Sequence, residues 1–208
     1  MNMQTAAETE PSRAKRLRAS TSGTHQRLDT SIMNARPFES RARYGRFLRI
    51  QYAFHREIDA LYSNPALDAL LPDLPGRRRL ALVAHDLADL AVAPPAAKTA
   101  PAFGADADIP TALGWLYVAE GSNLGAAFLL KEAAKLDLTE TFGARHLAAA
   151  PEGRGLHWKT FTAALDALEL DQGEEQRVVT GAEAAFARVI ALSAQELAAE
   201  ERATQQLG

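Results

Sequence analysis

The segment GWLYVAEGSNLGAAFLLK, residues 114–131, is predicted to be helical although glycines occupy two of its interior positions, Gly121 and Gly125. Each glycine costs about 1 kcal/mol relative to alanine inside a helix. The two are one turn apart and share a helix face. Three explanations are open from these residues: a close helix–helix contact, a kink at Gly121–Ser122, or a backbone shelf for a flat ligand.

Helical spacing of apolar residues extends through most of the chain. Ser40 is a predicted N-cap for a helix that runs through Tyr44 to Ile58. The other predicted helices cover residues 13–34 (with an interruption at the Ser/Thr/Gly cluster 20–24), 77–92, 111–136, 143–149, 155–170 and 174–200. A loop is predicted at 93–110. No segment alternates with period two, so we predict an all-α domain at residues 13–200, with tails at 1–12 and 201–208.

Composition narrows the class of protein. The 208 residues are 47% hydrophobic and 24% charged, and they include no cysteine, which excludes disulfides, thiolate metal sites and cysteine nucleophiles. No run of eighteen uncharged apolar residues occurs, and no apolar run follows the N-terminal charges, so neither a membrane span nor a secretory signal is expected. We expect a cytoplasmic protein. It is expected to be a monomer, because no large apolar surface stripe stands out.

Positive charge is concentrated near the N-terminus. Residues 11–49 carry a net charge of +8 and the remainder −11, although the whole chain is only −3. The segment has two acids, Asp29 and Glu39, against ten bases: Arg13, Lys15, Arg16, Arg18, Arg27, Arg36, Arg41, Arg43, Arg46 and Arg49. This pattern indicates either an anionic ligand or partner, or a solvated helix surface. Nucleic acid is not expected, because no binding motif is present and the protein is acidic overall.

Two histidines have informative surroundings. His25 lies in TSGTHQRLD, within the basic segment, and it is either a surface residue or a metal ligand. A lone His25–Asp29 pair is a weak zinc signal, but one imidazole with a basic rim suits haem, which supplies its other iron ligands and carries two propionates. Gln51 and His55 share a helix face, where they either hold ordered waters in an apolar pocket or leave His55 at a solvent-exposed edge.

Five segments together resemble the bacterial biliverdin-producing haem oxygenases. They are TSGTHQRLD (21–29), QYAFHREIDALY (51–62), GWLYVAEGSNLGAAFLLKEAAKL (114–136), TFGARHL (141–147) and GLHWKTFTAALDALEL (155–170). The resemblance runs from about residue 13 to residue 195. The combination of EGSNLGAAF with THQRLD about a hundred residues upstream is more specific than either segment alone.

The resemblance implies haem held between a proximal and a distal helix. His25 would be the proximal iron ligand, and Gly121 and Gly125 would let the distal backbone approach haem and O₂. Haem b would be both cofactor and substrate, opened with O₂ and external electrons to biliverdin, carbon monoxide and ferrous iron. Gln51 and His55 match residues that organise distal waters in bacterial members. Further haem contacts are expected from Ser122, Asn123 and Phe186.

The ring-opening position follows, in the family, from how the propionates are held. Arg18 and Tyr117 match the propionate-holding positions of members that release the IXα isomer. Members with a rotated haem have a neutral amide and a phenylalanine there, and a lysine where this chain has Glu132. The resemblance therefore implies the IXα isomer.

An acidic electron donor, such as a ferredoxin or a reductase, is the expected protein partner of the basic segment. Other interpretations are a haem carrier or sensor without turnover, and a haem-free scaffold like the thiamine-degrading relatives of this fold. The presence of Gly121 and Gly125 argues against the carrier, and His25 with Arg18 and Tyr117 argues against the haem-free scaffold. The resemblance does not distinguish iron acquisition from supply of biliverdin to a photoreceptor.

Overall fold

The structure, a computed structural model, describes residues 11–97 and 99–205, without the side chains of 199–205. This part of the chain contains seven α-helices: α1 Arg13–Asn34, α2 Arg41–Ile58, α3 Pro65–Asp68, α4 Leu80–Asp89, α5 Ile109–Ala134, α6 Arg154–Ala167 and α7 Gln172–Gln205. Short 3₁₀ turns occur at Asp59–Ser63, Pro75–Arg77 and Arg145–Leu147. The described residues form no strand beyond isolated bridges at Thr139. The predicted all-α class is confirmed.

The predicted tails lie mostly outside the residues that the structure describes. Residues 1–10 and 206–208 lie outside the described residues, and α7 continues to Gln205. The domain boundaries stay a prediction. Within the described part, no helix combines the length and the hydropathy needed to cross a membrane.

Helix α1 is continuous through residues 20–24, so the predicted interruption is wrong. The hydroxyls of Ser20 and Thr21 donate to the carbonyl of Leu17, and that of Ser22 donates to the carbonyl of Ala19. Hydroxyl groups that bond back to carbonyls three or four residues earlier are accommodated within a helix. The cluster therefore keeps its hydrogen bonds inside α1.

The helix predicted at residues 143–149 is also wrong. Only the 3₁₀ turn Arg145–Leu147 forms, and Gly143 before it has a φ of 75°. The carboxylate of Asp86 on α4 accepts from the backbone N–H groups of Arg145 and His146, at 2.9 and 3.0 Å. A distant side chain thus satisfies the amides that a helix would have left free at its first turn.

Two helix starts are set by polar caps. The Ser40 hydroxyl accepts from the backbone N–H of Arg43 at 3.2 Å, which confirms the predicted cap of α2. Asp108 accepts from the N–H of Thr111 at 3.1 Å and begins α5, in which Pro110 occupies the first turn. Proline is favoured there, because its missing N–H would have had no partner in the helix.

Helix α7 is the support for the helices of the site, because α1, α2 and α5 all pack against it. It crosses α5 at two glycines, Gly114 and Gly181. A methyl group on Gly114 would overlap the backbone at Val178 and Ala182, and one on Gly181 would overlap the carbonyl of Thr111. The two helix backbones therefore touch without side chains between them, and this contact fixes α5 on α7.

Candidate active site

One exposed face of α1 presents His25. Its side chain is 60% exposed, and Nδ1 lies 2.9 Å from Oδ2 of Asp29, one turn later. The ring meets the edge of Phe186 on α7, with 5.7 Å between the ring centroids. Arg18, seven residues before His25, is exposed on the same face. The structure thus brings together an imidazole, an apolar ring and a cation.

The middle of α5 leaves its backbone uncovered at one of the two glycines. A Cβ at Gly125 would have no atom within 4 Å, and one at Gly121 would meet only the ring of Trp158 at 3.7 Å, an ordinary contact. Leu124 and Phe128 beside Gly125 are large apolar residues that are 44% and 54% exposed. Helix packing does not require a glycine at position 121 or 125. The glycine of α5 that it requires is Gly114. The shelf explanation is favoured.

Helices α1 and α5 meet at Tyr117. Its hydroxyl donates a long hydrogen bond, 3.5 Å, to the carbonyl of Ala14. Burial raises the pKa of Tyr117, and the positive charge of Arg18 opposes that rise. Because Ala14 lies one helical turn before Arg18, the Tyr117 hydroxyl meets α1 on the side that carries Arg18.

Ser122 and Asn123, between the two glycines, make hydrogen bonds within α5 and to α6. The hydroxyl of Ser122 donates to the carbonyl of Ala119 at 2.7 Å, within α5. The carbonyl of Asn123 accepts from Nη1 of Arg154, at the start of α6, at 3.0 Å. Arg154 also donates to the carbonyl of Leu147. It thereby links α5 to the turn before α6, a role that sequence reasoning did not find.

His55 is buried, with 3% of its surface exposed, and Gln51 one turn earlier is half-buried. The alternative that His55 lies at a solvent-exposed edge is therefore wrong. Burial, with smaller effects from His146 and Arg79, lowers the pKa of His55 to about 3, so the ring is neutral. Its Nδ1 has no protein hydrogen-bond partner, which suits a residue that binds water.

Sequence reasoning missed a buried cluster of charged and polar side chains next to α5, which we call the buried cluster: Arg77, Arg79, Asp86, Glu120, His146 and His157. Arg77 Nη1 lies 2.8 Å from Glu120 Oε2, and both side chains are almost fully buried. Arg77 also donates to the carbonyl of Pro72 at 2.9 Å and lies over the ring of Phe161. The one sequence signal was Glu120, an acid inside an apolar stretch of α5.

The second half of the buried cluster is built on Asp86. Its Oδ2 lies 2.7 Å from Nδ1 of His146 and accepts from the backbone N–H of the same residue, and its Oδ1 accepts from the backbone N–H of Arg145. Burial lowers the pKa of His146, and Asp86 opposes that effect. Arg79 Nη1 donates to the carbonyls of His146 and Ala148 at 3.4 and 3.3 Å. These bonds connect α4 and the turn to the region behind α5.

The exposed faces fit the chemical requirements of haem. An iron needs a nitrogen ligand, which the accessible imidazole of His25 offers. The porphyrin plane needs apolar contact, which the exposed side chains of Leu124 and Phe128 and the uncovered backbone at Gly125 offer. Phe186 is buried and packs against the ring of His25. The two propionates need cations or donors, and the Tyr117 hydroxyl meets α1 at Ala14, one helical turn before Arg18.

Comparison with known proteins identifies the family of the chain. Residues 12–195 match the family model described as heme oxygenase. The heme oxygenase PigA of Pseudomonas aeruginosa is 46% identical over 176 residues, which are 85% of this chain and 88% of PigA. A structure of the NO- and CO-bound heme oxygenase from Neisseria meningitidis is 41% identical with a TM-score of 0.84, covering 89% of this chain and 92% of that one.

The chain belongs to the haem oxygenase family. It is a haem oxygenase, an enzyme that degrades haem. The heme oxygenase-1 of the cyanobacterium Synechocystis, solved in complex with heme, shares the fold at 17% identity, with a TM-score of 0.71 over 95% of this chain and 97% of that one. The family predicted from the five sequence segments is confirmed.

Proposed function

We propose that this haem oxygenase binds haem b between α1 and α5 and opens it to biliverdin IXα, carbon monoxide and ferrous iron, using O₂ and electrons from an external donor. Bound haem supplies the O₂ chemistry and is itself the substrate. The observation that supports this site best is the uncovered backbone of α5 at Gly125, beside the exposed apolar side chains of Leu124 and Phe128.

His25 is the proposed iron ligand. Because Nδ1 lies 2.9 Å from the carboxylate of Asp29, the Nδ1 proton is directed to that acceptor and Nε2 keeps its lone pair for iron. Phe186 restricts the rotation of the ring from the α7 side. The imidazole is therefore oriented by two neighbours before haem arrives.

On the distal side, Gly121 and Gly125 keep side chains away from the oxygen-binding face. Protons would reach that face through water, with Gln51 and the neutral His55 as the residues that position it. The buried Nδ1 of His55, which has no protein partner, supports this role. With a pKa of about 3 the ring does not trap a proton at neutral pH.

The IXα assignment rests on Arg18 and Tyr117, and it is supported by the hydrogen bond of the Tyr117 hydroxyl to Ala14, one helical turn before Arg18. Glu132 pairs with Lys135 at 2.7 Å, and it offers no positive charge to a rotated haem. The double variant Arg18→Asn, Tyr117→Phe should shift the product toward other isomers, as chromatography of the biliverdin would show. An unchanged isomer mixture would remove these two residues from the assignment.

The basic segment is the proposed docking surface for an acidic electron donor. Arg41 and Arg43 are anchored to the carbonyls of Leu136 and Ala35, so their charges are held in place near the C-terminal ends of α5 and α1. Charge reversal at Arg41, Arg43 and Arg46 should slow ferredoxin-supported turnover and leave ascorbate-supported turnover unchanged. Reversal of Arg177 on α7 is the control, and equal slowing with both reductants would contradict docking.

The direct test of the function is a hemin titration followed by ascorbate under air with catalase present. A saturable Soret band that decays into the broad red absorption of biliverdin is expected, with the IXα isomer in the chromatogram. A Soret band that persists would contradict turnover. The cytoplasmic location and the monomeric state stay predictions, and light scattering on the purified protein tests the second.

A further inference from the structure

Helix α5 is held less firmly by the core after Gly121 than before it. Residues 112–120 are all buried, whereas of residues 121–128 only Ala126 is. Glycines at two positions lower the intrinsic stability of the helix there. Residues 121–125, which we call the glycine segment, are therefore the part of α5 whose position depends most on contacts from outside the helix.

Two side chains of α6 lie against the glycine segment. The ring of Trp158 would meet a Cβ at Gly121 at 3.7 Å. Arg154 Nη1 donates to the backbone carbonyl of Asn123 at 3.0 Å. An apolar contact has little directional preference, whereas a hydrogen bond requires a defined distance and angle at one carbonyl. Arg154 is therefore the contact that defines where the segment lies.

The same guanidinium is bound to a turn that is itself fixed to α4. Arg154 Nη2 donates to the carbonyl of Leu147, in the 3₁₀ turn Arg145–Leu147. The carbonyls on either side of it accept from Nη1 of Arg79, at the start of α4, at 3.4 and 3.3 Å. Asp86, within α4, accepts from two backbone N–H groups of the turn. Arg154 therefore connects the glycine segment to a fixed part of the fold.

The location of Arg154 is unfavourable for α6 itself. Arg154 is the first residue of that helix, where the helix dipole disfavours a positive charge, and the first turn has no acidic residue. Gly153 before it has a φ of 87°, which glycine adopts at little cost. A residue that is locally unfavourable is typical of a functional site. The two carbonyls that Arg154 binds account for an arginine at this position.

We propose that Arg154 is a positioning residue of the haem site, which fixes the glycine segment of α5 relative to the turn Arg145–Leu147. It thereby sets the position of the uncovered backbone at Gly125. The inference rests on the proposed function, because that backbone is the surface assigned there to haem and O₂. Arg154 acts through the backbone of α5 and not on the substrate.

Hydrogen exchange of the haem-free protein measures how firmly the glycine segment is held. In Arg154→Met the backbone amides of residues 124–128 should exchange about tenfold faster, because a charge-assisted hydrogen bond to that turn of α5 is lost. The amides of residues 113–118, at the crossing with α7, should exchange as in the wild type. Lys159→Met removes an exposed cation of the same helix and is the matched control, with both regions unchanged.

The variant Arg154→Lys separates the charge from the shape of the guanidinium. An ammonium group keeps the charge, but it lacks the fixed fork of donors that binds two carbonyls at once. Exchange of residues 124–128 should therefore lie between the wild type and Arg154→Met. Wild-type exchange in the lysine variant would overturn the proposed link between the two carbonyls.

The second measurement is the infrared spectrum of carbon monoxide bound to the reduced, hemin-loaded protein. The wild type should give one narrow C–O stretching band. In Arg154→Met the band should broaden or split, because the neighbouring backbone takes more than one position. Turnover should fall about tenfold or more, since small displacements of positioning groups are costly. Lys159→Met should keep the wild-type band and rate.

The outcomes separate the two levels of inference. A wild-type protein without biliverdin formation would contradict the proposed function, and exchange in the haem-free variants would still decide whether Arg154 holds the glycine segment. Unchanged exchange in Arg154→Met would overturn the positioning role, and so would faster exchange throughout α5, which would show a general loss of stability. Faster exchange at residues 124–128 with a wild-type infrared band and rate would also overturn it.

Discussion

The exposed face of α1 and the buried cluster behind α5 are built in opposite ways. On α1, His25 and Asp29 are each about 60% exposed and pair within one helical turn. In the buried cluster, Arg77 and Glu120 are 43 residues apart and lose nearly all contact with solvent. The first region leaves its polar groups in contact with solvent. The second holds together the structure on which the site depends, so changes in the two should have separable effects.

The largest effect on stability is expected from Arg77→Met. The substitution leaves the Glu120 carboxylate buried without its main partner, which should lower the free energy of unfolding by about 3–5 kcal/mol. Chemical denaturation of the haem-free protein measures it. The double variant Arg77→Met, Glu120→Leu should recover most of the loss. A single variant as stable as the wild type would show that the pair contributes little.

The complementary variant is His25→Ala, which should affect turnover and not folding. An exposed contact of this kind between two side chains contributes about 0–1 kcal/mol, so the unfolding free energy should hardly change. Turnover should fall more than about 100-fold, since loss of the ligand itself should exceed the 10–100-fold cost of losing its second-shell support. Added imidazole should restore part of it. Full activity without His25 would assign the iron ligand elsewhere.

Two alanine substitutions on α5 test the shelf against the helix crossing. Gly125→Ala should stabilise the haem-free protein by up to about 1 kcal/mol, because its Cβ meets nothing and alanine favours helix. It should nevertheless weaken hemin binding. Gly114→Ala should destabilise by about 1–3 kcal/mol through overlap with α7. Denaturation and hemin titration on both variants measure the contrast, and unchanged hemin affinity in Gly125→Ala would remove the shelf.

The pH dependence of stability tests the titration of His55. Its folded-state pKa is about 3 and its unfolded value about 6.5, so the unfolded chain binds more protons between those limits. The stabilisation is complete above pH 6.5 and is lost as the pH falls toward 3. His55→Asn should flatten the pH dependence of the unfolding free energy in that window, with His85→Gln as control. An unaltered slope would mean that His55 is protonated in the folded state.

The sequence was sufficient for the features that depend on local pattern. Helical periodicity predicted the all-α class, and Ser40 was identified as a cap from its position before an apolar run. Two helix predictions failed because the sequence does not show where short polar side chains make their hydrogen bonds. The cluster at residues 20–24 suggested a break, because nothing local shows that its hydroxyls bond within the helix. Residues 143–149 suggested a helix, because Asp86, which competes for the amides, is some 60 residues away.

The candidate site shows the same difference between residues that the sequence indicates and residues whose role depends on distant partners. His25, Gly125 and Phe186 were predicted through the family resemblance. His25 and Gly125 are exposed, and the ring of His25 contacts that of the buried Phe186. Arg77 and His157 could not be found, because burial of a charge becomes visible only when its distant partner is placed. The role of the glycines of α5 also depended on a distant partner that the sequence does not place. Close helix packing was a correct mechanism, but it applies to Gly114, whose partner Gly181 lies on α7.

The crossing at Gly114 and Gly181 separates the position of α5 from the residues on its exposed face. The spacing of α5 and α7 is set by one backbone resting on another, so it does not depend on the size of any side chain. Substitutions along the exposed face around Gly125 therefore leave the distance between α5 and α7 unchanged. That face is free to vary in chemistry, while two small residues outside it keep the helix in place.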